Sequence, residues 1–194
     1  MLVPRMTVDE IKLLDKCFKQ CHGSYFEFGC GGSTFRACLH PNIEHITSID
    51  SSIGWIKKVS DNSVVSLLKK QGKINFLFVD INADEFSWGI PKDKSKINNW
   101  PEYSFSIRKT PVKYDMILID GRFRVACGLH SLEMLSPNGI MVIHDYTNRT
   151  HYHILTKYYD MVETVETLAV FKKKPNYDIM SVQSIIDKYE MIYD

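Results

Sequence analysis

An acidic residue and three glycines lie close together near the start of the chain, in the run Glu27-Phe28-Gly29-Cys30-Gly31-Gly32. A second carboxylate, Asp50, follows 23 residues after Glu27. Glycines in a turn let a ligand approach the backbone closely, and an acid after the next strand can accept hydrogen bonds from ribose hydroxyls. The spacing therefore predicts a site for a cofactor that contains a nucleoside.

Two features of this turn separate the candidate cofactors. A dinucleotide site needs the pattern G-x-G-x-x-G, and this chain has Thr34 where the third glycine would stand. The carboxylate of Glu27 would repel a pyrophosphate but attract an ammonium or a sulfonium group. The turn therefore favours a cofactor that carries an amino acid or a sulfonium, with a nicotinamide dinucleotide as the alternative.

Acidic residues also follow three later apolar runs, as Asp80, Asp120 and Asp145. His144 lies beside Asp145, and an imidazole next to a carboxylate is a suitable general base near neutral pH. Asp120 and Asp145 could instead hold a divalent cation that acidifies an acceptor hydroxyl. Asp120, His144 and Asp145 are therefore the candidate catalytic residues, with a metal ion at the two aspartates as the alternative.

Basic and aromatic side chains near these acids are candidates for binding an acceptor. Arg122 and Arg124 could bind an anionic or hydroxyl-rich group, although pairing with the neighbouring carboxylates is an equal alternative. His151 and His153 alternate, so at most one of them faces the site, and neither has the spacing of a zinc ligand. Arg122, Arg124, Tyr146 and His151 form the predicted acceptor-binding set.

Hydrophobic periodicity predicts the elements that hold these residues. Strands are predicted at residues 25–28, 45–49, 74–79, 116–119, 140–143, 162–165 and 168–171. Helices are predicted at residues 7–21, 33–39, from 51 or 52 to about 59, 62–70, about 125–135, 147–159 and 181–189. Because strands alternate with helices, we expect a doubly wound, mostly parallel α/β sheet with helices on both faces. The carboxyl edge of that sheet would collect Glu27, Asp50, Asp80, Asp120 and Asp145.

Three local patterns give sharper expectations. Thr7 and Glu10 have the spacing of a capping box at the start of the first helix. The predicted strand at 74–79 is almost continuously apolar, which predicts burial on both faces. The sequence Pro137-Asn138-Gly139 predicts a turn that closes the helix at 125–135.

The segment from Asn82 to Lys113 differs from the rest of the chain. Its periodicity is weak, and it contains three prolines and five large aromatic residues. Loops of this length in compact domains are usually functional, and so many aromatics argue against disorder. We interpret the segment as an insert that forms a lid or binds substrate, with a cover for an exposed sheet edge as the alternative.

Composition limits the classes of protein. A chain of 194 residues fits one domain, and its 24 basic and 23 acidic side chains give no field that would attract nucleic acid. No apolar run reaches the length of a membrane span. The five cysteines are odd in number and irregular in spacing, which predicts structural thiols in a reduced, cytoplasmic setting rather than disulfides or a zinc site.

The motif Glu27-x-Gly29-x-Gly31, followed by Asp50, resembles motif I of class I S-adenosylmethionine (SAM)-dependent methyltransferases. The resemblance covers about residues 23–172 and implies a Rossmann-like sheet of seven strands. It implies that Asp50 binds the ribose, that Asp80 and Ile81 contact the adenine, and that Asp120 serves catalysis or the substrate. The implied cofactor-binding residues are Glu27, Gly29, Gly31, Ser33, Asp50, Asp80 and Ile81.

The pieces D-G-R-F-R-x-A, from Asp120, and His144-Asp145-Tyr146 are similar to those of class I methyltransferase domains near glycan-assembly enzymes. Such domains include some linked to glycosyltransferases in large DNA viruses, so the host cytoplasm would be the location if the chain is viral. The similarity implies O-methylation of a sugar such as the deoxyhexose rhamnose, with glycosyltransferases as partners. One alternative is a Mg²⁺-dependent small-molecule O-methyltransferase, although Arg122 stands where several of those enzymes have an acid. Another is a SAM-binding partner domain without catalytic activity.

Overall fold

The structure is a computed structural model that describes residues 2–193, and its centre is a sheet of seven strands. In chain order the strands of the protein are β1 (Gly23–Phe28), β2 (Ile43–Asp50), β3 (Ile74–Phe78), β4 (Ala83–Asp84), β5 (Ile90–Pro91), β6 (Tyr114–Ile119), β7 (Leu135–Ile143), β8 (Tyr159–Val165) and β9 (Leu168–Lys173). The large sheet has the order β3-β2-β1-β6-β7-β9-β8, and β4 pairs with β5 in a separate small hairpin.

Seven α-helices accompany these strands in residues 2–193. They are α1 (Val8–Gln20), α2 (Gly32–Cys38), α3 (Ile53–Ser60), α4 (Ser63–Lys70), α5 (Trp100–Phe105), α6 (Arg124–Ser131) and α7 (Ile179–Tyr189). Short 3₁₀ segments lie at Ile97–Asn99, Ser106–Lys109 and Thr150–Lys157. None of the described helices is long and apolar enough to cross a membrane.

The five strands from β3 to β7 along the sheet are parallel, which confirms the predicted doubly wound α/β fold. The last residues of neighbouring strands are level, since Phe28 pairs with both Ile49 and Ile119, and Ile119 pairs with Ile143. β9 and β8 continue the sheet in antiparallel pairing. The acids that follow the parallel strands therefore lie along one edge of the sheet, as predicted.

Helices cover both faces of the sheet over two apolar cores. One core includes Trp100 of α5, Ile186 of α7 and Phe123, which precedes α6, and the other includes Phe18 of α1 and Val59 of α3. The capping box of α1 is present, since Thr7 and Glu10 exchange hydrogen bonds between side chains and backbone. All five cysteines are buried and have free thiols.

Three local predictions were wrong. β3 is not buried on both faces, because it is the edge strand of the sheet and Phe78 is 45% exposed. Pro137-Asn138-Gly139 lies inside β7, where the pairing with β6 shifts register, and α6 ends earlier, at Ser131. The segment after β7 forms 3₁₀ turns at Thr150–Lys157 rather than the α-helix predicted at 147–159.

The insert at residues 82–113 has two halves with different surroundings. Its second half carries Trp100, Tyr103 and Ile107 into the core, where Tyr103 packs on Phe28 of β1. This half therefore supplies the crossover between β3 and β6. Its first half, the β4–β5 hairpin, carries exposed aromatics such as Trp88.

Candidate functional site

The glycines of the turn after β1 meet different surroundings. Gly29 has φ +94°, and a Cβ there would lie 2.9 Å from the backbone nitrogen of Gly121, so this position needs glycine for the contact between β1 and β6. Gly32 is covered by the backbone of Val3 and Pro4. A Cβ on Gly31 would meet only the Trp55 ring, at 3.6 Å. Gly31 therefore leaves space at the turn that a ligand could occupy.

Glu27 lies beneath this turn and is completely buried. Its carboxylate accepts hydrogen bonds from the hydroxyls of Tyr25 (2.9 Å), Ser33 (2.9 Å), Ser48 (2.8 Å) and Thr34. Burial raises the pKa of Glu27 to about 7, although the four hydroxyls favour the ionised form.

This arrangement changes the interpretation of two predicted cofactor residues. Glu27 has no exposed oxygen with which to contact an ammonium or a sulfonium, and the hydroxyl of Ser33 is turned towards the carboxylate. Both side chains therefore support the turn from below. Thr34 accepts a hydrogen bond from the backbone of Gly31 at 2.8 Å, which fixes the turn above them.

Asp50 lies at the end of β2 and faces the same turn. Its two oxygens accept hydrogen bonds from the backbone of Cys30 (2.9 Å) and Ser52 (2.8 Å). Burial raises the pKa of the Asp50 carboxyl. A carboxylate oxygen can accept more than one hydrogen bond, so Asp50 keeps the capacity to accept ribose hydroxyls.

Trp55 forms a wall beside the turn. Its indole nitrogen donates to the carbonyl of Cys30, and the side chain is 38% exposed. Lys58 covers its outer surface at 4.3 Å from the ring centre. An indole fixed in this way can pack against a flat nucleoside.

The two residues predicted to contact adenine have different environments. Asp80 is partly exposed and is held by the backbone of Asn82 (2.9 Å) and the amine of Lys96 (3.3 Å). Ile81 is completely buried in the core. Asp80 is therefore accessible to a ligand, whereas the Ile81 side chain offers no surface to one.

His144 and Asp120 form a hydrogen-bonded pair at the ends of β7 and β6. Nδ1 of His144 lies 2.9 Å from Oδ1 of Asp120. The other ring nitrogen, Nε2, lies 3.6 Å from Glu10 and 3.9 Å from Asp145. Burial alone would lower the pKa of His144, but the hydrogen bond and charge of Asp120 and the charge of Asp145 raise it.

Arg124 is buried between the two predicted catalytic aspartates. Its guanidinium nitrogens lie 3.4 Å from Asp120 and 3.3 Å from Asp145, and they donate to the carbonyls of Gly121 and His144. Burial alone would raise the pKa of Asp120, but His144 and Arg124 hold it below its usual range. Arg124 therefore compensates the charge of both carboxylates.

A metal ion does not fit this arrangement. Ligand atoms of Asp120, His144 and Asp145 lie within 4.8 Å of one another, which is close enough for one ion. However, the guanidinium of Arg124 already occupies the space beside both carboxylates, and a second cation would be repelled. The donor set is that of an ion-paired histidine rather than that of a metal centre.

An open cleft of about 450 Å³ is lined by His144 and by Glu10 and Asp145, the two carboxylates that lie near Nε2. It is bounded by the N-terminal segment, the end of β7 and the turn between β8 and β9. Its lining residues are Arg5, Met6, Thr7, Glu10, His144, Asp145, Glu166 and Thr167. The imidazole nitrogen not bound to Asp120 thus faces a space that an acceptor could enter.

None of the predicted acceptor-binding residues is among those that line this cleft. Arg122 is buried, and within residues 2–193 its Nε has no hydrogen-bond partner. Tyr146 is buried against Phe171 and His153, while the side chain of His151 is exposed. Arg124 is paired with Asp120 and Asp145. None of these four side chains therefore lines the cleft.

Comparison with known proteins shows the fold. No protein-family model matches the chain, and no curated protein sequence matches it. A methyltransferase-like protein from Silicibacter pomeroyi has a similar structure, with a TM-score of 0.84 at 23% identity over 98% of both chains. The chain has a methyltransferase fold.

Other solved methyltransferases share this fold more distantly. The N-methyltransferase NodS from Bradyrhizobium japonicum, in complex with S-adenosyl-L-homocysteine (SAH), has a TM-score of 0.54 at 19% identity, covering 87% of this chain and 86% of its own. The methyltransferase MycE, in complex with Mg and SAH, has a TM-score of 0.51 at 15% identity over 90% of this chain and 51% of its own.

Two parts of this methyltransferase fold were not recognised as site components from the sequence. Glu10 was identified only as a capping residue, yet it also contacts Thr167 and His144. The N-terminal segment lies on the glycine turn through Val3 and Pro4. No sequence signal indicated these long-range contacts, because they depend on how α1 packs beside the end of β7.

The β4–β5 hairpin lies above the end of β2. The hydroxyl of Ser52 donates a hydrogen bond to the carboxylate of Glu85. A Cβ on Gly89 would lie 3.4 Å from the hydroxyl of Ser51. On the other side, the guanidinium of Arg5 lies 4.2 Å from the centre of the Trp88 ring. The hairpin and the N-terminal segment therefore meet over the edge of the sheet that carries Asp50.

Proposed function

We propose that the protein is a SAM-dependent O-methyltransferase that uses His144 as its general base. The observation that carries the proposal is the geometry of one imidazole. Nδ1 is held by Asp120 at 2.9 Å, while Nε2 lies near Glu10 and Asp145, two carboxylates that line the cleft. A base with one nitrogen fixed and the other free to accept a proton suits the activation of a hydroxyl.

The residues at the turn support SAM as the cofactor. The space beside Gly31, the indole wall of Trp55 and the carboxylate of Asp50 suit a ligand with a nucleoside. The solved complexes of NodS and MycE with SAH have the same fold. When bound, SAM supplies an electrophilic methyl group on a positively charged sulfur.

The chain itself supplies alignment and proton transfer. An acceptor hydroxyl in the cleft would donate its proton to Nε2 of His144, which would leave its oxygen able to accept the methyl group that SAM, held by Asp50 and the turn at Gly31, would supply. Asp120 holds the tautomer in which Nδ1 carries a hydrogen, so Nε2 has a free lone pair. The negative charges of Asp120 and Asp145 stabilise the imidazolium that results.

We propose a sugar or glycan hydroxyl as the acceptor, with rhamnose as a candidate. Phe86 and Trp88 in the β4–β5 hairpin are 98% and 63% exposed, and such flat apolar surfaces can stack on a sugar ring. The hairpin would act as a lid, because it already contacts Ser52 and Arg5 beside the turn. Association with a glycosyltransferase remains a prediction from the sequence resemblance.

An amine is the second candidate acceptor. Asp145 is paired with Arg124, but Glu10 and Glu166 also line the cleft, where Arg5 is the one arginine or lysine among the described lining residues, and this negative surplus would attract a protonated amine. His144 would then remove the proton from nitrogen instead of oxygen. NodS, which has the same fold, is an N-methyltransferase.

The proposal is tested by transfer of labelled methyl from SAM to a panel of methyl glycosides, including methyl rhamnoside, and to matched amino sugars. The wild type should methylate a glycoside hydroxyl, and His144→Gln should lose at least about a hundredfold in rate. Methylation of the amine alone would select the second candidate. If His144→Gln methylates as fast as the wild type, the general-base proposal is wrong, and SAM binding without any transfer would indicate a non-catalytic domain.

A further inference from the structure

Glu10 is a buried carboxylate that connects three parts of the molecule. It is 2% exposed and lies in the first turn of α1. One oxygen accepts hydrogen bonds from the backbone (3.0 Å) and the hydroxyl (2.6 Å) of Thr167, in the turn between β8 and β9. The other accepts from the backbone of Thr7 at 2.9 Å and lies 3.6 Å from Nε2 of His144.

These contacts exceed what a helix cap requires. A capping box needs only the exchange between Thr7 and Glu10, and an N-terminal carboxylate usually remains in solvent. Here three donors fix the carboxylate, and its second oxygen faces the imidazole. Burial alone would raise the pKa of Glu10, but Thr167, Thr7 and His144 hold it below its usual range, so Glu10 is ionised at neutral pH.

The imidazole is surrounded by charged groups from several elements. Asp120 contacts its Nδ1 side, and Asp145 and Glu10 face its Nε2 side. Within residues 2–193, the charged residues that face His144 or line its cleft are Glu10, Asp120, Asp145, Arg124, Arg5 and Glu166. Glu10 is the only one of these carboxylates that reaches Nε2 from a separate helix of the described chain.

We propose that Glu10 is a positioning residue that orients His144 from the Nε2 side and stabilises the imidazolium formed when His144 takes the proton of the acceptor. This inference rests on the proposed function of His144 as the base. In the resting state Glu10 faces a lone pair, and after proton transfer it faces an N–H bond. Its interaction with the ring is therefore stronger after the proton has moved, which assists the transfer rather than the binding of the acceptor.

The first test is the pKa of His144, measured by NMR titration of its ring protons without any acceptor. Replacing Glu10 by glutamine keeps the size of the side chain and removes its charge. Glu10→Gln should lower the pKa of His144 by about one unit, because an opposite charge within 4–6 Å favours the charged form. A pKa of His144 equal to that of the wild type would overturn the proposal.

Asp9→Asn is the matched control. Asp9 lies in the same first turn of α1, but its side chain is exposed and pairs with Lys12 at 2.7 Å. The control makes the same change of charge one residue away and should leave the pKa of His144 where it is in the wild type. A shift as large as that of Glu10→Gln would overturn the proposal, since any loss of charge on the helix would then suffice.

A reciprocal measurement covers the case in which Glu10→Gln does not fold. Coupling between two titrating groups acts equally in both directions. In His144→Gln the pKa of Glu10, followed by carbon NMR, should therefore rise relative to the wild type. An unchanged pKa would show that the two groups do not interact and would overturn the proposal.

Kinetics separate this inference from the proposed function. With a glycoside that the wild type methylates, Glu10→Gln should lower kcat about tenfold with little change in KM. It should also move the acidic limb of the pH–rate profile to lower pH. If His144→Gln is inactive while Glu10→Gln has the kcat and pH profile of the wild type, only the role of Glu10 is wrong. If His144→Gln is fully active, the proposed base itself is wrong.

Discussion

The side-chain hydroxyl of Thr34 donates a hydrogen bond to the completely buried carboxylate of Glu27, beneath the glycine turn. Thr34 stands where a dinucleotide site would have its third glycine. The same hydroxyl accepts a hydrogen bond from Gly31 at 2.8 Å. The departure from the dinucleotide pattern therefore has a structural cause, since Thr34 connects the buried acid to the turn above it.

The buried carboxyl of Glu27 should make the free energy of unfolding depend on pH. Burial raises its pKa to about 7 in the folded chain from 4.5, so between these values the folded state binds more protons than the unfolded state. The free energy of unfolding should therefore fall as pH rises from 4.5 to 7, by up to about 3 kcal/mol from this residue. Glu27→Gln should remove that slope in urea unfolding curves.

Glu44→Gln is the control for this experiment. Glu44 lies exposed on β2, so removing its charge should leave the slope as in the wild type. A Glu27→Gln protein with the full wild-type slope would show that another group is responsible.

Gly31 should separate cofactor binding from folding. Its φ is 171°, an extended conformation open to any residue, and a Cβ would meet only Trp55 at ordinary contact distance. Gly31→Leu should therefore fold with a Tm within a few degrees of the wild type but lose SAH binding in calorimetry. Gly29→Ala should instead lower the Tm, because its φ of +94° and its approach to Gly121 exclude a side chain. Tight SAH binding by Gly31→Leu would place the cofactor elsewhere.

Arg124 should matter for stability more than a surface arginine. Arg124→Met would leave Asp120 and Asp145 without their buried cation and should cost about 3 kcal/mol in urea unfolding. Arg108→Met is the control, because its pair with Glu133 is more exposed and should contribute less than about 1 kcal/mol. Equal losses in the two variants would contradict the assigned role.

Arg124→Met also tests whether Asp120, His144 and Asp145 bind a metal ion. If the guanidinium of Arg124 takes the place of a metal ion, addition of Mn²⁺ should not broaden the NMR lines of His144 in the wild type. The activity of the wild type should also survive a chelator. Arg124→Met should acquire Mn²⁺ binding, because the three ligand atoms within 4.8 Å then lack the buried guanidinium that lies beside both aspartates. Strong binding of Mn²⁺ to His144 in the wild type would contradict this account.

The contact between Arg5 and Trp88 should hold the proposed lid. Arg5→Ala removes a guanidinium that lies 4.2 Å from the ring centre and should speed the dissociation of SAH roughly two- to fivefold in stopped-flow fluorescence. Lys188→Ala removes a similar contact on Tyr189 of α7 and should leave the dissociation rate unchanged. If Arg5→Ala releases SAH at the wild-type rate, the hairpin does not act as a lid through this contact.

Much of the fold follows from local sequence patterns. Apolar runs that end in acids, such as the run before Asp120, correctly predicted the parallel strands, and the Thr7–Glu10 spacing correctly predicted the start of α1. Pro137-Asn138-Gly139 misled because a proline and a glycine also occur at an irregularity within a strand. The pairing partner, β6, decides between these outcomes and is distant in sequence.

The site was predictable in its residue types but not in its pairings. His144 and Asp120 were both identified, yet only the register of β6 with β7 places Nδ1 within 2.9 Å of the carboxylate. Arg124 was open to two interpretations, and the structure shows it paired with the aspartates. The contact of Glu10 with Thr167 spans 157 positions, which no local pattern reports.

The space beside Gly31 and Asp50 should bind SAM. Isothermal titration calorimetry of the wild-type protein with SAH, SAM and NAD tests it most directly. We predict binding of SAH and SAM at one site per chain, loss of that binding in Gly31→Leu, and no heat with NAD. No binding of either SAH or SAM by the folded protein, or binding of NAD alone, would contradict it.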